Sequence, residues 1–171
     1  MGSNLSITEI GQLVGGISFL LAVLAFYQKD DRYLKTLLMA VYLIHGVHFY
    51  LLDSLVPATL CLISFLRTLI SLYIRSSRMA IIFIVLIALL SYLNYQSLID
   101  LLPIAASVLG TYALLCLSGI KMRLAILIGS ALWLINNIFI GSIGGTLMEL
   151  FIISTNAFTI YRLMATAEPR G

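Results

Sequence analysis

Seven long blocks of apolar residues, separated by short polar breaks, limit the folds that this sequence can form. The fourth block, MAIIFIVLIALLSYL, is apolar over almost its whole length. A helix needs about 20 predominantly apolar residues to cross a bilayer, and each block approaches that length. We therefore predict membrane spans at residues 9–27, 34–52, 55–74, 79–96, 100–118, 123–141 and 144–164.

The composition excludes the other large classes of protein. Of the 171 residues, 61% are hydrophobic and only 10% are charged, whereas soluble domains carry about 25% charged residues. Disorder is excluded as well, because disordered chains have low hydrophobicity. The net charge of +3 does not indicate a nucleic-acid partner, since the basic residues stand singly at block ends and form no patch. We expect the partner of this surface to be the lipid bilayer.

The basic residues alternate between the ends of successive blocks. Nine of the ten belong to one set of ends: Lys29, Arg32, Lys35, Arg75, Arg78, Lys121, Arg123, Arg162 and Arg170. The opposite ends carry Glu9, Asp53 and Asp100 and no basic residue. Because basic loops stay in the cytoplasm, the pattern predicts an N-terminus outside and a C-terminus inside. The tenth basic residue, Arg67, lies in the middle of a block.

A weak internal repeat relates the two halves of the chain. A shift of 88 residues places the first three spans on the last three, with His45 on Trp133 and the turn DSLVPA (53–58) on GSIGGT (141–146). Because the fourth span reverses direction, both triplets begin at the same face of the membrane.

The repeat predicts an all-α membrane protein in which seven transmembrane helices form two parallel three-helix repeats joined by a linker helix. This is a 3+1+3 arrangement, with an N-out and C-in orientation. The predicted units are a first repeat at residues 1–77, a linker helix at 78–98 and a second repeat at 99–171. Parallel repeats of this kind are typical of transporters.

Three segments carry a resemblance to known families: LIHGVHFYLLDSLVPATLCLISFLR, LLPIAASVLGTYAL and LWLINNIFIGSIGGTLMELFIISTNAFTIYR. The layout resembles the SWEET sugar transporters, the PnuC vitamin transporters and the PQ-loop proteins. These segments more closely resemble the YgjV-like bacterial inner-membrane protein family, which implies a multi-pass protein of the bacterial inner (plasma) membrane. The SWEET-like hinge proline is displaced here, because Pro103 lies near the outer end of its span and Gly15 is its counterpart. A sugar substrate therefore does not follow from the resemblance.

Polar residues inside the predicted spans are the candidates for a functional site. An arginine at the bilayer centre costs about 2.5–3.5 kcal/mol on insertion scales, so Arg67 needs a counter-charge or a water-filled cavity. Glu149 is the carboxylate that would supply the charge. The predicted substrate-binding residues are Tyr42, His45, His48, Arg67, Trp133, Asn136, Asn137 and Glu149.

These side chains favour a small polar or anionic solute as the ligand. Arginine can bind a carboxylate through two hydrogen bonds, and tryptophan can stack on a ring. We therefore predict a transporter or facilitator that moves such a solute through a cleft between the triplets. A histidine that titrates near neutral pH would also couple transport to protons. A membrane receptor or assembly factor that binds a ligand or partner without transport is the alternative.

Structural roles for the same residues stay open at this point. Arg67 and Glu149 would then form an ion pair that fixes helix register, and the histidines and Trp133 would serve packing. An enzyme is not expected, because HGVH (45–48) lacks the glutamate and the spacing of the zinc-protease motif H-E-x-x-H. We expect no cofactor and no metal ion. We expect that a monomer can form the pathway alone, and the sequence does not decide between a monomer and a homodimer.

Overall fold

The computed structural model describes residues 6–27, 31–74, 76–117 and 119–167. This part of the chain forms seven α-helices, and a 3₁₀ turn at Leu98–Asp100 precedes the fifth. The helices are α1 (Ile7–Tyr27), α2 (Asp31–Leu51), α3 (Leu55–Ser71), α4 (Ser77–Asn94), α5 (Leu101–Cys116), α6 (Gly119–Phe139) and α7 (Ile143–Ala167). The all-helical fold predicted from the apolar blocks is confirmed.

Five of these helices are long and apolar enough to cross a membrane: α1, α4, α5 with its preceding turn, α6 and α7. The apolar parts of α2 and α3, Lys35–Leu51 and Leu55–Ser71, are shorter. As a whole, α2 contains 21 residues, Asp31–Leu51. The prediction of seven spans is thus confirmed by length and composition for five of them.

The surface and the interior of the bundle have the polarity of a protein that is surrounded by lipid. Leu20, Ile82 and Ile138 each expose more than half of their surface, as do many other large apolar side chains. Histidine, arginine, asparagine and glutamate side chains are buried instead. Contiguous apolar surface on this scale is rare on soluble monomers, so the outward faces of the helices suit a hydrocarbon environment.

Six of the helices close into a ring. α2 packs between α1 and α3, and α6 packs between α5 and α7. α1 also packs against α7, and α3 packs against α5, which completes the ring in the order α1, α2, α3, α5, α6, α7. α4 lies against α3 and α5, where Phe83 and Ile87 bury their side chains beside Val56, Leu60 and Leu115. α4 therefore lies outside the ring and supplies an apolar core at one side of it.

The turns after α2 and α6 have the same backbone hydrogen bonds. In the first turn the Ser54 N–H donates to the Phe49 carbonyl at 2.9 Å. In the second turn the Ser142 N–H donates to the Asn137 carbonyl at 2.8 Å. Each donor and each acceptor in the second turn lies 88 residues after its counterpart in the first.

The backbone conformation of the two turns agrees with this correspondence. Asp53 has a φ of 57° and Gly141 has a φ of 69°, and these positions also differ by 88 residues. A left-handed residue is costly unless it is glycine, asparagine or aspartate, so both residue types suit the same conformation. α2 and α6 each contain 21 residues, and their bounds differ by 88 residues at both ends.

The two ends of the bundle are distinguished by their side-chain contacts. We call the end at which α1, α3 and α7 begin the Gln12 end, and the opposite end the Lys35 end. At the Lys35 end, the Lys35 ammonium group donates to the Ser71 carbonyl at 3.2 Å. The guanidinium group of Arg123 donates to the Asn156 side chain at 3.3 Å.

Candidate functional site

Most of the side chains that were singled out in the sequence lie inside the ring. Tyr42 and Trp133 are partly buried. The remaining six expose no more than 6% of their surface: His45, His48, Arg67, Asn136, Asn137 and Glu149. They come from α2, α3, α6 and α7, so the ring brings together residues that are more than 100 positions apart in the chain.

An aromatic contact joins α2 to α6 across the ring. Phe49 and Trp133 stack with their ring centroids 5.8 Å apart. His45 meets the edge of Phe49 at 4.4 Å, and its ring lies 5.0 Å from that of His48. Phe49 was not among the predicted site residues. Its spacing of four from His45 on an α-helix was the signal that places it on the same face.

His48 is a structural link between three segments of the chain. Its Nδ1 lies 2.7 Å from the Gly11 carbonyl, and a carbonyl only accepts, so Nδ1 carries the proton. Its Nε2 then accepts from the Ser142 hydroxyl at 2.7 Å, while the Ser142 oxygen accepts from the Gly145 N–H at 3.1 Å. The neutral ring satisfies every one of these groups. A Cβ at Gly15 would lie 2.7 Å from the imidazole, so the glycine makes room for it.

His45 uses only one of its two ring nitrogens. Its Nδ1 lies 2.6 Å from the Ser18 oxygen, and the Ser18 hydroxyl donates to the Gly15 carbonyl at 2.8 Å. Since the hydroxyl has a single proton, the bond between the two side chains is donated by Nδ1. Nε2 is then an acceptor that faces the interior, and it has no partner within the described residues.

Arg67 is buried among neutral hydrogen-bond acceptors. One terminal nitrogen donates to the Thr111 hydroxyl at 2.7 Å, and the other donates to Ser64 at 3.4 Å. The guanidinium group also lies close to the Tyr42 side chain, and its Nε has no partner in the described chain. Thr111 is fully buried in α5 and was missed in the sequence, where a hydroxyl in an apolar block was the available signal.

Glu149 has different neighbours, so it is not the ion-pair partner of Arg67. Its carboxyl group lies close to Ser130 on α6 and within electrostatic range of the Cys61 thiol on α3. Its second oxygen, Oε2, has no partner among the residues that are described. On α3, Arg67 follows Cys61 by six residues, which is about 9 Å of helix rise at 1.5 Å per residue. The hydrogen-bond partners of Arg67, Thr111 and Ser64, differ from the neighbours of the carboxyl group.

The two asparagines of α6 complete a group of buried polar side chains with unused hydrogen-bonding capacity. Neither polar atom of Asn136 or of Asn137 has a partner in the described part of the chain. A Cβ at Gly145 would lie 2.8 Å from the Asn137 oxygen, so this amide is pressed against the first turn of α7. Buried amides are nearly always hydrogen-bonded. We call His45, Arg67, Asn136, Asn137 and Glu149 the unpaired polar group.

The Gln12 end of the ring is tightly closed where α1 meets α7. The Gln12 amide donates to the Gly141 carbonyl at 2.7 Å, and its oxygen accepts from the Ile143 N–H at 3.1 Å. One turn further along, a Cβ at Gly144 would overlap the backbone of Gly15. Backbone therefore contacts backbone along this seam, and Gln12 supplies hydrogen bonds that the beginning of α7 lacks.

Two grooves mark the outward-facing surface. One of about 260 Å³ runs between α2 and α3 and is lined by Tyr42, Gly46 and Leu62, among others. The other, of about 430 Å³, runs between α1 and α7, with Gly16 and Leu147 in its lining. Tyr42 both lines the first groove and contacts the buried arginine, so this groove is the nearest surface feature to the unpaired polar group.

A ring of helices with an apolar exterior and a polar interior defines a multi-pass helical membrane protein. Residues 9–167 match the model of a family described as bacterial inner membrane protein, Imp-YgjV, and the chain belongs to that family. It is 34% identical over 153 residues to the inner membrane protein YgjV of Escherichia coli strain K12, which covers 90% of this chain and 84% of that protein. No solved structure matches the chain. The predicted family and the location in the bacterial inner membrane are confirmed.

Proposed function

We propose that this protein is a transporter or facilitator that moves a small anionic or polar solute across the inner membrane, through the centre of the helix ring. The observation that carries the proposal is the state of Arg67. It is 6% exposed, and its hydrogen-bond partners are neutral. Charged residues within membrane proteins are expensive and mark substrate or ion pathways. A carboxylate or phosphate would accept from the free Nε–H and neutralise the charge.

The layout of the helices supports a pathway between two halves. In the proposed arrangement α1–α3 and α5–α7 are parallel repeats and α4 is the linker between them. The two corresponding turns, 88 residues apart, support this register. So does the ring, because the contact of α1 with α7 becomes the contact of α5 with α3 after the same shift. Substrate sites in transporters with repeats lie at the interface of the repeats, and both proposed halves contribute residues to the unpaired polar group.

The proposed orientation places the Gln12 end outside the cell and the Lys35 end in the cytoplasm. It rests on the distribution of basic residues, of which Lys29, Arg75 and Arg170 lie outside the described residues, as does the side chain of Arg32. Gln12 and His48 reach from one half to the other at the Gln12 end. At the Lys35 end, the hydrogen bonds of Lys35 and Arg123 stay within one half. We infer that the ring is closed toward the outside and that solute release requires the halves to separate at the opposite end.

The position of Trp133 provides a direct probe of the proposed site. It is the single tryptophan of the chain, and it stacks on Phe49 between the two halves. A solute that enters the ring would meet this stack and alter the indole environment. Fluorescence excited at a wavelength that tyrosine does not absorb therefore reports on Trp133 and its surroundings.

The experiment is a ligand screen on the purified protein. Carboxylates, phosphates, sugars, nucleosides and vitamins are tested for a rise in the unfolding midpoint and for a change in Trp133 fluorescence. A ligand at 100 times its Kd stabilises the native state by about 2.7 kcal/mol. We expect an anionic hit whose effects are lost in Arg67→Gln. They should be retained in Arg78→Gln, because Arg78 is exposed at the start of α4.

Uptake of the hit into proteoliposomes then separates transport from binding alone. Accumulation that depends on Arg67 is the expected result. A hit that binds at Trp133 without being taken up would favour the alternative, a receptor or assembly factor. A screen in which Arg67→Gln and the unmodified protein behave alike toward every anion would contradict the proposed site. The proposal includes no enzymatic step.

A further inference from the structure

Glu149 is a buried ionisable residue, and it has no role in the proposed binding of an anion by Arg67. It is 6% exposed, it lies close to Ser130, and its Oε2 has no partner in the described chain. No lysine or arginine among the described residues forms an ion pair with it. The carboxyl group therefore lies in the ring without a positive charge to stabilise an ionised form.

Arg123 and Arg67 belong to elements around α7 and are engaged with other residues. On α6, Arg123 is engaged with Asn156, which follows Glu149 by seven residues and so lies about 10 Å further along the helix. On α3, the neutral Cys61 thiol lies within electrostatic range of the carboxyl group, and Arg67, six residues later, donates to Thr111 and Ser64.

The titratable groups of α1 and α2 do not neutralise Glu149 either. On α1, Glu9 is an exposed acid at the Gln12 end that accepts from Ser6. On α2, His48 uses both of its ring nitrogens for other hydrogen bonds, and Nδ1 of His45 is engaged with Ser18. A carboxylate that is buried without a counter-charge is far less stable than the neutral acid.

We propose that Glu149 is the site of an exchangeable proton, which is bound while the ring is closed and released to water when the centre becomes hydrated. The inference rests on the proposed function, in which solute movement opens and closes the ring, and it would link that movement to protons. It assigns this role to the acid and not to the histidines, for which the sequence predicted it, because the hydrogen bonds of His48 and of His45 Nδ1 are all made by neutral rings. The step breaks the O–H bond of the acid and delivers one proton to water.

The charges in the closed ring are consistent with this assignment. A neutral Glu149 leaves the positive charge of Arg67, and a bound monovalent anion would cancel it. An ionised Glu149 with the same anion would leave a net negative charge in the interior of the membrane. Proton binding at Glu149 and anion binding at Arg67 therefore favour each other in the closed state.

The first measurement is the infrared carbonyl band of protonated carboxylic acids, recorded on the purified full-length protein at neutral pH. Exposed carboxyl groups ionise near pH 4 and do not contribute to this band at neutral pH. We expect a band that shifts in heavy water, that is absent in Glu149→Gln and that persists in Glu9→Gln. In Ser130→Ala the band should move, because the hydroxyl group close to the carboxyl group is removed. That shift assigns the band even where the glutamine variant fails to fold.

The second measurement links the proton to opening of the ring and uses the buried Cys61 beside the acid. The other cysteine of the chain, Cys116, is first replaced by serine. Cys61 should then become accessible to maleimide over the same rise in pH that removes the infrared band. In Glu149→Gln the rate of maleimide labelling should rise with pH only by the ordinary increase in thiolate. The difference between the two proteins then measures hydration of the ring. An absent band, a band unaffected by both Glu149→Gln and Ser130→Ala, or equal Cys61 profiles would overturn the proposal. Neither measurement needs a solute, so a failed ligand screen does not affect their outcome.

Discussion

The closest approach between α1 and α7 allows one consequence of the ring to be tested at a single atom. A methyl group added at Gly144 would overlap the carbonyl group and Cα of Gly15. Because the obstructing atoms belong to a helix backbone, they cannot turn aside as a side chain would. We therefore expect Gly144→Ala to separate the two helices and to destabilise the protein.

The neighbouring residue Gly16 supplies a matched control. A methyl group there would have no atom within 4 Å. Replacing a mid-helix glycine by alanine stabilises a helix by about 0.5–1 kcal/mol, whereas overpacking costs about 1–3 kcal/mol. Gly16→Ala and Gly144→Ala should therefore differ in unfolding free energy by about 1.5–4 kcal/mol, with opposite signs relative to the unmodified protein.

Thermal unfolding in detergent measures this difference. For a chain of this size, 1 kcal/mol corresponds to about 2–4 °C in Tm, so the two variants should melt roughly 3–16 °C apart. Equal midpoints, or a more stable Gly144→Ala, would show that α1 and α7 are not in backbone contact. The closed seam at the Gln12 end would then be refuted along with the packing argument.

Two further substitutions test the contacts between the halves. His48→Ala should lower the unfolding midpoint more than His45→Ala, because it leaves two buried groups unpaired at about 1–3 kcal/mol each, whereas Ser18 keeps its bond to the backbone. The reverse order would exclude the linking role of His48. Gln12→Ala should cost about 1–3 kcal/mol for its two hydrogen bonds and should accelerate hydrogen exchange at the Ile143 amide, and unchanged exchange there would argue against the contact.

The helices could be predicted from the sequence because hydropathy is a local property. The turn after α2 could be predicted from the polar residues near Asp53, and the turn after α6 from the glycines near Gly141. The beginnings of α2 and α6 were less accurate, at three and four residues before the predicted spans, because a polar first turn can still be helical without adding to the apolar length. Burial of Arg67 and Glu149 also followed from the sequence, since both lie within apolar blocks.

The partners of these residues could not be predicted in the same way. Arg67 and Glu149 have opposite charges, which made an ion pair the simplest expectation. Their actual neighbours, among them Thr111 and Ser130, depend on the rotation of each helix about its axis and on the order of helices in the ring. Neither quantity is encoded in hydropathy, and a weakly polar hydroxyl group gives little signal among apolar residues.

The place of α4 beside the ring has a consequence for how the two halves can differ. A ring built from two separate copies of one three-helix chain would contain every residue twice, and any acid or cation in it would be duplicated. In the proposed repeat, the position of Glu149 corresponds to Cys61, and that of Arg67 corresponds to Thr155. By joining the halves covalently, α4 fixes their stoichiometry and allows one to carry a single cation and the other a single acid.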